Sequence, residues 1–159
     1  LGSIGFADLD GLAKRAITRR ANEAEAIGRF GGALWDDTQA EAFCQEVLRG
    51  LEQDSWQLPP EQVAGRFKAV PELMPHTLSD CLHELAYWNE LYRLRHACDT
   101  QGYYENSIEA HARDWFVFGL LAELRPRNRE EARATLRYLM SSERDDAPEA
   151  EGILENLLG

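Results

Sequence analysis

Long apolar runs are missing from this chain of 159 residues. Charged residues divide every extended apolar pattern, and the richest stretch, Trp115 to Ala122, falls far short of the roughly twenty residues that a membrane-crossing helix needs. No membrane partner is expected. The first twenty residues carry Asp8, Asp10, Lys14, Arg15, Arg19 and Arg20 with no apolar segment among them, so they do not read as a signal peptide. Cysteine is scarce and odd in number: Cys44, Cys81 and Cys98 lack the even count and spacing of a disulfide framework. Each lies in an apolar helical context, which reads as free buried thiols and a cytoplasmic location. Positive charge is also in deficit, with 17 Lys and Arg against 28 Asp and Glu, a formal net charge of −11. That balance excludes general binding to nucleic acid, which needs a dense cationic surface, and favours a protein partner with a basic surface.

Period-two alternation is absent too. The one β-compatible patch, Ser55 to Leu58, is too short to build a sheet. No internal repeat or low-complexity tract is present, and 44 % apolar with 28 % charged residues is an ordinary globular composition. The length suits one core, so residues 1–159 read as a single helical domain.

Helical periodicity fills the space that strands leave. Leu9, Leu12, Ala13, Ala16, Ile17, Ala21, Ala24 and Ile27 recur at threes and fours, giving a helix over 8–28 capped by Asp8 or Asp10, with Gly28, Gly31 and Gly32 breaking it. Thr38 and Glu41 stand in the capping-box relation and open a second helix. Pro59 and Pro60 suit the first turn of a third, which carries Val63, Phe67 and Val70. The strongest pattern runs from Thr77 to about Thr100, with Thr77 and Asp80 as a capping pair and Gly102 at its exit. Tyr103 to Leu124 gives the next helix, Asn128 and Glu131 cap another through Met140, and Ile153, Leu154, Leu157 and Leu158 mark a final amphipathic turn or two. The expected fold is all-α: an irregular or orthogonal bundle of five to seven helices around an antiparallel hairpin at about 77–124.

Catalytic signatures are missing. No serine elbow or phosphate-cradling glycine loop occurs, and Cys98 near His96 has no third group to complete a triad. Asp80 and His83, like His111 and Asp114, stand three apart on helical faces, as carboxylate and imidazole do in helical metal sites; these four are the candidate ligands of a metal-protein or small-enzyme alternative. Cys81 with His83, and His96 with Cys98, are two apart and point to opposite sides of a helix, so neither pair chelates. No cofactor is implied. Arg15, Arg19, Arg93, Arg95, Arg113 and Glu84 read as solvated helix faces.

Aromatic residues are the informative surplus. Tyr87, Trp88, Tyr92, Tyr103, Tyr104, Trp115 and Phe118 crowd the hairpin, and helical spacing cannot place all of them on one buried stripe. They read either as a buried central hairpin wrapped by the other helices or as the candidate binding patch of an acidic interaction module of the inhibitor, immunity or adaptor kind. A structural homo-oligomer built through the hairpin is a further alternative.

Overall fold

The computed structural model describes residues 7–32 and 34–159. Among them are seven α-helices, a short 3-10 turn and no strand: α1 (Ala7–Phe30), α2 (Gln39–Val47), α3 (Pro60–Lys68), the 3-10 turn (Pro71–Leu73), α4 (Leu78–Cys98), α5 (Ile108–Leu120), α6 (Arg129–Ser141) and α7 (Glu149–Leu158). The expected all-α bundle is therefore the fold. No helix among the described residues is long and apolar enough to cross a membrane. The chain forms two compact units, one taking the described residues up to Thr38 with Glu90–Glu105, the other Gln39–Asn89 with Asn106–Gly159.

In the first unit, Ala26 and Leu34 pack with Leu94 and Cys98 of α4, and Phe30 closes over them. α1 leaves this core through Gly31, whose φ of +70° is the left-handed geometry that glycine adopts without strain, so the helix runs past Gly28. Asp8 and Asp10, read as caps from the sequence, both lie within α1, which begins at Ala7. Arg95 is buried, not solvated: its Nε donates to the Leu34 carbonyl at 2.8 Å, Nη2 to the Asp36 carbonyl at 2.8 Å and Nη1 to the Tyr104 hydroxyl at 3.0 Å. One guanidinium thus holds the 34–36 loop. Arg29 bridges Glu25 and Glu90, and Arg93 reaches the same two acids.

The apolar stripe read along α1 points away from this packing. Ala26 is buried, whereas Leu9, Leu12, Ile17 and Ile27 are half exposed or more. Residues 12–20 are exposed all round the helix, so this stretch of α1 has no packed face.

The second unit holds the larger core. Leu78, Cys81 and Leu85 of α4 share one cluster with Val117, Phe118, Leu120, Leu121, Leu139, Ala150 and Ile153. Glu84 of α4 pairs with Arg113 of α5. The hairpin is shorter than its sequence pattern. Tyr103 to Asn106 are not helical; α5 begins at Ile108 because Ser107 accepts from the Ala110 N–H as its cap. Asp99 accepts from the Gln101 and Tyr103 N–H groups and holds the connection as a turn. The capping residues read at the starts of α4 and α6 are in place: Thr77 Oγ1 accepts from Asp80 N, Asp80 accepts from Thr77 N, and Asn128 accepts from Glu131 N.

A candidate docking hollow in the second unit

α2, the 72–76 segment, the first half of α4 and Arg113 of α5 surround an open hollow of about 770 Å³. Its apolar walls include Phe43, Leu73, Met74, Pro75 and Tyr87, with Trp88 at the edge of the core. Sequence periodicity places them here for separate reasons. Phe43 flanks the buried Cys44 on α2, Tyr87 and Trp88 follow the buried Leu85 on α4, and Pro71 and Pro75 keep the chain between α3 and α4 from continuing as a helix.

Arg113 is buried at 3 % exposure, which corrects its reading as a solvated residue. Its Nε and Nη2 bind the two Glu84 oxygens at 2.5 and 2.9 Å, and Nη2 also donates to the Leu73 carbonyl at 2.8 Å. Trp88 Nε1 donates to the same Glu84 at 3.2 Å. The guanidinium lies over Phe67 at 4.7 Å, with Phe116 and Phe43 at 5.6 and 6.0 Å. Nη1 has no hydrogen-bond partner among the described residues, so the negative faces of these rings are its compensation. Three acids line the hollow, Glu72, Asp80 and Glu84; Glu84 and Arg113 neutralise each other, which leaves the charges of Glu72 and Asp80. Its electrostatic balance is therefore negative.

Thiol chemistry has no place here. Burial pushes the Cys44 thiol up to about 12, Arg113 offsets this only in part, and Glu84 and Glu41 raise it further. Cys81 is likewise raised to about 12 by burial, then by Glu84 and Asp80. Both keep their protons at neutral pH and are poor nucleophiles.

The seven aromatic candidates do not form one surface. Tyr87 and Trp88 meet edge to face at 5.0 Å beside the hollow, and Trp88 is 2 % exposed because its ring packs inward while its N–H is bonded. Phe118 is fully buried, with its ring against Trp115 and Tyr138, so it belongs to the core and not to a docking patch. Trp115 is half-buried beneath the Arg144 guanidinium. Tyr92 and Tyr104 lie 6.0 Å apart in the first unit with Trp35 near Tyr104, and Tyr103 is exposed.

The four metal candidates are also dispersed. Asp80 spends its carboxylate on the cap of α4, where bonds from Thr77 and from the His76 N–H hold its carboxyl below the usual range. His83 is exposed at the hollow. His111 lies edge-on to Trp115, and Asp114 is bound by Arg144. Among the described residues no three His, Cys, Asp or Glu side chains stand together to hold an ion, so these four make no single centre. The Glu84–Arg113 pair is what sequence reading missed. Its signal was the buried register Ala110, Arg113, Val117, Leu120, in which an arginine stands at an inward position.

No protein-family model, no curated protein and no solved structure matches this chain.

Proposed function

We propose that the protein is an acidic interaction module and that the hollow beside Tyr87 receives a basic, apolar-anchored segment of a partner protein, as an inhibitor or adaptor would. The observation that carries this reading is the pairing of apolar walls with Glu72 and Asp80, the two acids left once Glu84 and Arg113 neutralise each other. A net charge of −11 adds long-range attraction for the same kind of partner. Three thiols with no disulfide between them suit the cytoplasm.

A fluorescent, helix-forming leucine–lysine peptide is the probe, with a leucine–glutamate peptide of the same pattern as control. The basic peptide is expected to bind and to lose about tenfold in affinity when salt screens the charges. Tyr87→Ala and the exposed Glu72→Lys should each weaken it severalfold. Unchanged affinity in both variants, read by anisotropy, removes the hollow from the reading.

Self-association has its own support, from α1 instead of the hairpin. Leu9, Leu12, Ile17 and Ile27 are exposed on α1, beside a basic stretch of Lys14, Arg15, Arg19 and Arg20. A second copy laid along α1 covers these apolar side chains, and the alanines between them allow close approach. Sedimentation should show a concentration-dependent dimer that Ile17→Glu converts to monomer. Wild-type protein that sediments as a monomer at every accessible concentration ends this second reading.

A further inference from the structure

A second concavity of the larger unit, about 450 Å³, shares no lining residue with the hollow described above. It is more enclosed in character and falls within the roughly 300–1,000 Å³ common for small-ligand sites. Three aromatic side chains line it: Trp56 from the turn before α3, and Trp115 and Phe116 from α5. Leu58, Val63 and Pro148 complete apolar walls. The polar residues of the lining are Gln57, His111 and Glu149. Glu149 opens α7, and its Oε2 is buried without a hydrogen-bond partner among the described residues.

These features choose between ligand classes. An anion meets Glu149 in a protein that is already strongly negative. A neutral apolar molecule covers the rings but brings no charge to offset the buried carboxylate oxygen. An organic cation with an apolar body does both jobs: its methyl or methylene groups cover the rings, its charge interacts with their electron-rich faces, and it compensates the carboxylate. Trp115 already serves a cation in this way on its own account. The Arg144 guanidinium lies 4.5 Å from its ring centre and is bound to Asp114, so its charge is offset locally.

Trp56 supplies the adjustable wall. It is 71 % exposed, and it sits in a tight turn where the Asp54 and Gln57 backbones bond to each other and Ser55 takes a φ of +59°. We propose that this pocket is a binding site for an organic ammonium group carried on an apolar body, a quaternary or alkylated amine, with Trp56, Trp115 and Phe116 as its aromatic walls and Glu149 as its counter-charge.

Benzyltrimethylammonium is the probe, compared with 2,2-dimethyl-3-phenylpropan-1-ol, which has a similar shape and no charge. Titration of the whole protein is followed on the four indole N–H signals in NMR spectra. Trp56 and Trp115 should shift saturably, with Trp35 and Trp88 as internal controls, and the ammonium should bind about tenfold more tightly than the alcohol. Glu149→Gln should remove most of that preference, chiefly by weakening the ammonium, and Trp56→Ala should weaken both. Equal affinity for the two probes, a Gln variant that keeps the full preference, or no saturable shift at Trp56 and Trp115 overturns the proposal. The comparison of the two probes on wild-type protein needs no variant, and Trp56 is exposed enough for its truncation to spare the fold.

Discussion

Replacing Arg113 by alanine is expected to lower the unfolding free energy by about 3–5 kcal/mol, a large share of the roughly 5–15 kcal/mol that holds a domain together. Two losses combine. Glu84 keeps only the Trp88 N–H among its observed donors, so a largely buried carboxylate is left without its counter-ion. Phe43, Phe67 and Phe116 lose the cation they surround, and a cavity opens between them. Arg113→Lys should recover only part of the loss, because an ammonium cannot span both Glu84 oxygens and the Leu73 carbonyl from one planar group. Adding Glu84→Gln to Arg113→Ala should restore some stability by removing the orphaned charge. Urea denaturation followed by circular dichroism measures all of these, and a loss below about 1 kcal/mol for the alanine variant contradicts the account.

The second large effect belongs to Glu131, a buried acid on α6. Burial alone raises its carboxyl, but the donors around it outweigh that: Arg127 through its backbone N–H at 2.7 Å and its guanidinium, and Ser79 through N–H at 3.0 Å and hydroxyl at 2.8 Å. The group is held down to about 2 from 4.5. Its folded value is depressed, so its stabilisation is complete above the unfolded value and drains away as pH falls toward 2. The difference corresponds to about 3 kcal/mol at neutral pH. Glu131→Gln should therefore be much less stable than wild type at neutral pH, and the gap should shrink steadily in acid. A gap of constant size across that range, in thermal melts at matched ionic strength, would assign the loss to packing instead of charge.

Glu131 also marks where sequence reading stopped. Its part in the cap of α6 is local, three residues from Asn128, and so it was legible; its bonds to Ser79 cross 52 positions and carry no local pattern. The same divide separates other residues. Thr77 and Asp80 declare themselves through the spacing of a capping pair. The start of α5 was set too early because Tyr103 and Tyr104 extend an apolar pattern, while Ser107, the actual cap, has no distinctive neighbour three residues on. α1 shows that periodicity identifies a face without saying what covers it: the stripe is real and outward. Of the site, Tyr87 was visible as an aromatic surplus. That Glu72 joins Asp80 and Glu84 was not, because the two α4 acids are four residues apart while Glu72 is brought to them only by the turn at Pro71–Leu73.

The three thiols give the protein a set of internal clocks. Cys44 and Cys81 lie in the larger unit and Cys98 in the smaller, all buried and all shifted by burial toward the protonated form. An alkylating reagent in solution can mark each one only when its surroundings open. The pace at which Cys98 is marked, set against the pace of the other two, times the opening of one unit separately from the other in unmodified wild-type protein.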